Sequence, residues 1–145
     1  MSLDFDTNGD GRERVRIFVT GSCEGLPKLC EALENHREIE LVGVAEQVRD
    51  GAGALTGGHL GAVLHATRGG SLPTNELAAI REHTRAPILL LASVESSTLL
   101  EEALEDGVAD LVPLPQLTEN IVFAIRKTCH QGRKALAGDG RRGRV

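Results

Sequence analysis

Apolar residues along this chain change repeatedly between two spacings, and the change predicts alternating strands and helices. Over residues 15–20, apolar positions recur every second residue, which predicts a strand. The next apolar positions, Leu26, Leu29, Cys30 and Leu33, recur at helical spacing. The same change from strand spacing to helical spacing occurs five times before residue 131.

The other predicted elements differ in how deeply they should be buried. Further strands are predicted over 39–45, 60–66, 87–92 and 109–112, and further helices over 48–55, 75–83, 97–106 and 117–131. The strands 60–66 and 87–92 are almost entirely apolar, which is typical of strands buried on both faces. Glu38 and Glu40 around the second strand, and Pro113 after the last one, favour edge positions. Gly107 is expected to end the fourth helix.

Strands that alternate with helices require right-handed crossovers and a parallel sheet. We therefore predict an α/β, flavodoxin-like fold: a doubly wound five-stranded parallel sheet of order 2-1-3-4-5, with helices on both faces. Residues 1–13 are predicted to be a disordered leader, residues 14–134 the folded domain, and residues 135–145 a linker rich in Gly and Arg.

Composition narrows the possible functions. The 145 residues suffice for one domain with a real core. A net charge of -5 and the absence of Trp and Tyr argue against a nucleic-acid partner. No apolar run is long enough to span a membrane and the N-terminus is polar, so we expect a cytoplasmic protein without integral membrane contact. The three cysteines form no Cys-x-x-Cys motif, so we expect neither a disulfide framework nor a metal site, and no cofactor.

Several segments in order resemble the receiver (CheY-like) domain of bacterial response regulators, over Val15 to Lys134. They are RIFVT, EIELVGVAE, GAVLHA, APILLLAS and the closing stretch EEALEDGVADLVPLPQ. The resemblance implies two-component signal transduction through a phosphorylation site at the strand ends. That site needs an acid pair that holds Mg²⁺, an Asp acceptor, a Thr or Ser, and a Lys, because phosphoryl transfer to a carboxylate brings two anions together.

This chain departs from the family pattern at every one of those positions. The acid pair falls on Thr20 and Gly21, or on Gly21 and Ser22 after a shift of one residue. The acceptor falls on Ala66, the hydroxyl on Ala92 and the Lys on Leu114. No acid occurs from Gly61 to Leu72, so a shift of one residue does not restore an acceptor. Losing all the charges together leaves a neutral, self-consistent site. We therefore expect a pseudo-receiver: a phosphorylation-independent interaction domain, not an enzyme, without catalytic residues.

The C-terminus and the last helix suggest partners. Residues 139–145, DGRRGRV, resemble the joint in pilus-assembly proteins of the TadZ/CpaE type, where an atypical receiver precedes an ATPase domain. This implies an attached or partner ATPase that the domain regulates or localises. Receiver domains commonly dimerise through the fourth helix, fifth strand and fifth helix. An apolar stripe of Leu117, Ile121 and Ile125 on the last helix leaves Val122 and Phe123 as candidates for a homodimer interface.

Two alternatives remain open. A receiver phosphorylated at a non-standard residue would have to use Ser22, His65, Thr67 or Ser93. His65 shows no acid or base partner in the sequence, so a packed or solvent-tipped histidine is the simpler expectation. The emptied crevice is also compatible with a small-molecule sensor domain. Cys23, in the turn after the first strand, is expected to be exposed.

Overall fold

The structure of the protein, a computed structural model, describes the backbone of residues 14–93 and 96–142 and the side chains as far as His130. Within these residues the chain forms one sheet of five parallel strands in the order β2-β1-β3-β4-β5. The strands are β1 (Val15–Gly21), β2 (Ile39–Ala45), β3 (Ala62–Thr67), β4 (Ile88–Ala92) and β5 (Asp110–Pro113). The predicted fold class and strand order are confirmed, with β2 and β5 at the edges.

Helices connect the strands. They are α1 (Leu26–Glu34), α2 (Ala52–Gly57), α3 (Thr74–Arg81), α4 (Ser97–Glu105) and α5 (Thr118–Arg142). A short 3₁₀ turn, Val48–Gly51, precedes α2. The predicted end of the last helix near Gln131 is wrong, because α5 continues to Arg142. The extension, residues 132–142, contains three Arg, two Ala, one Lys and one Leu, which favour a helix, beside three Gly, which do not. The leader at residues 1–13 lies outside the described residues.

The two faces of the sheet carry separate apolar cores. The α1–α5 face is packed by residues of those two helices against the odd-numbered residues of β1, such as Ile17 and Val19. The α2–α4 face is packed by α2, α3 and α4 against Phe18 of the same strand. Successive side chains of a strand point to opposite faces, so one strand supplies both cores. No helix among the described residues is long and apolar enough to cross a membrane.

The end of α4 sets the position of β5. Gly107 has a φ of 100°, and its N–H donates to Leu104 O at 3.1 Å while the N–H of Val108 donates to Ala103 O at 2.9 Å. This pair of hydrogen bonds closes the helix around a left-handed glycine, as predicted. The chain then enters β5 directly.

The last helix buries a wider stripe than its sequence suggests. Val122 is 3% exposed and packs in the core of the α1–α5 face, so it is wrong as a surface candidate for an interface. Leu117 precedes the helix and is 72% exposed, so it is wrong as a core residue. Phe123 is 68% exposed and remains available for a contact.

Candidate functional site: the crevice at the carboxyl edge of the sheet

The strand register brings the predicted site positions together at the carboxyl edge of the sheet. Gly21 pairs with Ala66 across β1 and β3, one residue beyond the pair Thr20 and His65. On the other side of the sheet's centre, the N–H of Leu114 donates to Ala92 O at 2.8 Å. All five positions that the resemblance assigns to a phosphorylation site therefore share one edge.

The four of these positions that carry a side chain are neutral and buried. Thr20 and Ala92 are 0% exposed, Ala66 is 3% exposed and Leu114 is 8% exposed. Ala66 and Leu114 belong to the apolar core of the α1–α5 face. Magnesium takes oxygen ligands, carboxylates above all, and these residues do not fit that ion. In the described part of the chain, no three His, Cys, Asp or Glu side chains are grouped as a metal site would need.

Gly21 is held where only glycine fits. Its φ is +84°, and an added Cβ would lie 2.2 Å from Ala66 O and 3.0 Å from Cε1 of His65. The neighbouring backbone is tied down as well, because the N–H of Ser22 donates to Ala66 O at 3.3 Å. An aspartate at this member of the acid-pair positions would therefore clash with the backbone of β3.

Thr20 and His65 form a buried polar pair that the sequence did not reveal. Thr20 Oγ1 lies 2.8 Å from His65 Nδ1, and His65 is 3% exposed. Burial lowers the pKa of His65, and the charge of Glu76 acts in the opposite direction. The histidine is therefore neutral near pH 7 and packed, in agreement with the simpler expectation. A buried imidazole already bonded to a hydroxyl is poorly placed to take a phosphoryl group.

Exposed polar groups lie above these buried positions, in the loops that follow β1, β3 and β4. Arg68 Nη2 donates to Ser22 Oγ at 2.8 Å, and Ser93 Oγ donates to the carbonyl oxygen of Arg68 at 3.3 Å. Cys23 is only 6% exposed, so its predicted exposure is wrong: its side chain packs into the core of the α1–α5 face. Burial raises the pKa of the Cys23 thiol, which makes it a poor nucleophile.

Comparison with solved structures identifies the fold. The signal receiver domain of NarL from Mycobacterium tuberculosis is 20% identical with a TM-score of 0.68, over 82% of this chain and 98% of that one. The response regulator domain of Thermotoga maritima CheB is 15% identical with a TM-score of 0.66, over 81% and 98%. The pilus assembly protein CpaE from Caulobacter crescentus is 13% identical with a TM-score of 0.63, over 77% and 91%. The chain has the CheY-like receiver fold. Neither a protein-family profile nor a curated protein matches its sequence.

A groove opens beside the crevice of this receiver fold, between α1 and the connection from β5 to α5. Its volume is about 550 Å³. Leu29, Leu114 and Ile121 supply apolar surface, and polar side chains such as Lys28 and Glu31 also line it. Leu114 thus lies both at the position that the resemblance assigns to the lysine and in the groove, where it adds apolar surface beside the crevice.

Proposed function

We propose that this chain is a signalling domain of the receiver fold that acts by protein–protein contact and does not depend on phosphorylation. One observation carries the proposal. The acceptor position holds Ala66, whose methyl group is 3% exposed within an apolar core. A methyl group offers no atom that can accept a phosphoryl group. The apolar core around Ala66 also does not stabilise a phosphoryl group.

The neighbouring positions support the same conclusion. Phosphoryl transfer to a carboxylate needs a hard cation and a further positive charge to offset the joining anions. Thr20 and Gly21 supply no carboxylate for Mg²⁺, and Leu114 supplies no ammonium group. The domain would therefore regulate or localise its partner through its surface, with the groove beside α1 as one available surface.

The test is incubation of the full chain with acetyl phosphate and Mg²⁺, followed by intact mass measurement at neutral pH. We expect no gain of a phosphoryl group, and no change in amide NMR shifts with beryllofluoride and Mg²⁺. The same measurement on His65→Gln serves as the matched control for labelling at histidine. A stable, stoichiometric phosphoryl adduct on the wild-type chain would overturn the proposal.

The second candidate is a receiver phosphorylated at a non-standard residue. It is favoured by the partial exposure of Ser22, Thr67 and Ser93 around the crevice. Phosphoserine and phosphothreonine survive acid, whereas phosphohistidine does not, so an acid-stable mass gain that Ser22→Ala or Ser93→Ala abolishes would establish this alternative. An unchanged mass in all three proteins would eliminate it.

We further propose that the partner is a cytoplasmic ATPase of pilus assembly, attached to this domain or separate from it. The resemblance of residues 139–145 to the TadZ/CpaE joint supports this partner, and the fold likeness to CpaE is compatible with it. The reading frame beyond Val145 provides the direct test. A phosphate-binding loop of the P-loop type within the next forty or so codons would support an attached ATPase. A stop codon there would leave only a separate partner, to be tested by co-purification with the candidate ATPase.

A homodimer is the third part of the proposal, and Phe123 is its candidate contact. Glu119 and Arg126 lie about one turn away from Phe123 along α5. Glu119 contacts His36 at 3.1 Å and Arg126 contacts Glu38 at 3.5 Å. Phe123 therefore lies on the solvent side of α5 next to the α1–β2 connection, which favours a contact centred on α5 over one that needs α4.

Sedimentation of the full chain at micromolar concentration tests this contact. We expect a dimer, which Phe123→Glu converts to a folded monomer. Leu104→Glu, on α4, is the matched control, because Leu104 is also exposed, at 48%. A monomeric wild-type chain would overturn the proposal. A dimer that only Leu104→Glu dissociates would move the contact to α4.

A further inference from the structure

Arg68 lies at the mouth of the crevice and connects the loops after β1 and β3. Its guanidinium donates to Ser22 Oγ across these loops at 2.8 Å. The two strands are neighbours in the sheet, yet the chain leaves β1 for α1 on one face and β3 for α3 on the other. In open α/β sheets, ligands bind at the carboxyl edge where the connections diverge in this way.

The charge of Arg68 has no carboxylate partner within the part of the chain that the structure describes. Three other arginines form ion pairs: Arg16 with Glu40 at 2.8 Å, Arg81 with Asp106 at 2.8 Å and Arg126 with Glu38 at 3.5 Å. Arg68 instead has the neutral hydroxyl of Ser22 as its side-chain partner. A guanidinium carries five N–H donors, so donors as well as charge are left for a ligand.

The surrounding groups are arranged as donors. Because Ser22 Oγ accepts from Arg68, its own proton is free to be donated outward. Ser93 holds the Arg68 backbone in place through the 3.3 Å hydrogen bond to its carbonyl oxygen. The hydrogen bond to Ser22 places the guanidinium close to the turn after β1, and its charge opposes the rise in the pKa of Cys23 that burial causes.

We propose that Arg68 and Ser22 bind a phosphate group, either free phosphate or the phosphate of a small ligand, without a divalent cation. An arginine and a hydroxyl recognise tetrahedral oxyanions by charge-assisted hydrogen bonds. The inference rests on the proposed function in one respect: it requires that no residue of the crevice is covalently phosphorylated. Glu24, which is exposed in the turn after β1, repels an anion and so limits the affinity for phosphate.

The test is an amide NMR titration of the full chain with inorganic phosphate, in EDTA and at constant ionic strength. We expect saturable shifts in residues 22–25 and 68–71. Arg68→Gln should raise the dissociation constant about tenfold or more, since a hydrogen bond to a charged group contributes about 1.5–3 kcal/mol. Arg85→Gln, at an exposed position before β4, should leave the constant unchanged, and Glu24→Gln should lower it.

The outcomes separate the possible ligands. Glycerol 3-phosphate binding more tightly than inorganic phosphate would identify a phosphate ester, and the reverse order would identify free phosphate. Linear, unsaturable shifts, or equal affinity in wild type and Arg68→Gln, would overturn the site. Ser22→Ala provides a second variant should Arg68→Gln lose its folded spectrum. A covalent adduct in the acetyl phosphate experiment would instead contradict the proposed function, so the two failures are distinguishable.

Discussion

The two faces of the sheet end differently at its carboxyl edge. On the α1–α5 face, the last residues are aliphatic: Ala66, Leu91 and Leu114 belong to its apolar core. On the α2–α4 face, the strands end in the hydrogen-bonded pair of Thr20 and His65. Both faces are neutral and buried, but one is stabilised by non-directional packing and the other by a single directed bond.

The difference shows that an edge of the sheet without buried charges is still filled, by aliphatic side chains on one face and by a hydrogen-bonded pair on the other. On the aliphatic face the titratable group at the edge is the Cys23 thiol, and burial raises its pKa, so we expect this edge to stay neutral as the pH falls. The polar face contains the imidazole of His65. Its hydrogen bond requires the hydroxyl of Thr20 and depends on the protonation of the imidazole. Substitutions at the edge can therefore measure separately what packing, hydrogen bonding and protonation each contribute to the free energy of unfolding.

Gly21→Ala should have the largest effect, because it disturbs both faces at once. The new Cβ would lie 2.2 Å from Ala66 O and 3.0 Å from His65 Cε1. We expect the free energy of unfolding to fall by about 3 kcal/mol or more, measured by chemical denaturation. Gly25→Ala is the matched control. Gly25 has a φ of +87° with nothing within 4 Å of an added Cβ, so only the backbone strain of about 1–2 kcal/mol applies. Equal losses in the two variants would show that Gly21 is not held against β3.

Thr20→Val should have the next largest effect, confined to the polar face. It removes the hydroxyl that lies 2.8 Å from His65 Nδ1 and leaves a buried nitrogen without that partner. The expected loss in the free energy of unfolding is about 1–3 kcal/mol. Combining it with His65→Leu should cost less than the sum of the two single changes, because both partners are then apolar. Additive losses would mean that the pair is not coupled.

Protonation of His65 should give the smallest effect, and its sign follows from burial. The pKa of His65 is lowered from an ordinary value of 6.5, so the unfolded chain binds the proton first as the pH falls. The neutral histidine contributes fully to the free energy of unfolding above pH 6.5. Below that pH the contribution decreases, by at most about 1.4 kcal/mol per pH unit, until the pH reaches the pKa of His65 in the folded chain. Denaturation between pH 7.5 and 5 should therefore show a shallower decline in His65→Gln than in wild type. Parallel pH profiles would contradict a buried neutral histidine.

The distribution of apolar residues predicts the sheet well because strands buried on both faces are almost entirely apolar. It places the fourth strand at residues 87–92, where the structure has the fully buried β4 (Ile88–Ala92). Prediction is weaker in α5. Its pattern leaves open how wide a stripe the sheet and α1 cover, so Val122 was assigned to the surface although it lies in the core.

The candidate site was predictable in part. The family pattern locates Thr20, Gly21 and Ala66 because each lies at the carboxyl end of a recognisable strand. The partners of these residues were not predictable. Thr20 and His65 are 45 residues apart and meet only through the register of β1 and β3. Arg68 and Ser22 are 46 residues apart in irregular loops, whose paths no hydrophobic spacing specifies.

The backbone at Gly21 also limits how this edge of the sheet could be redesigned. At a φ of +84°, a Cβ added to Gly21 would collide with Ala66 O, so there is no room for a side chain at this member of the positions that the resemblance assigns to the acid pair. Substitutions that introduced acids elsewhere at the edge would still meet a position closed to any carboxylate until the turn itself was rebuilt. Engineering a magnesium site of the receiver type into this edge would therefore require a change of main-chain path, which substitution of single side chains does not supply.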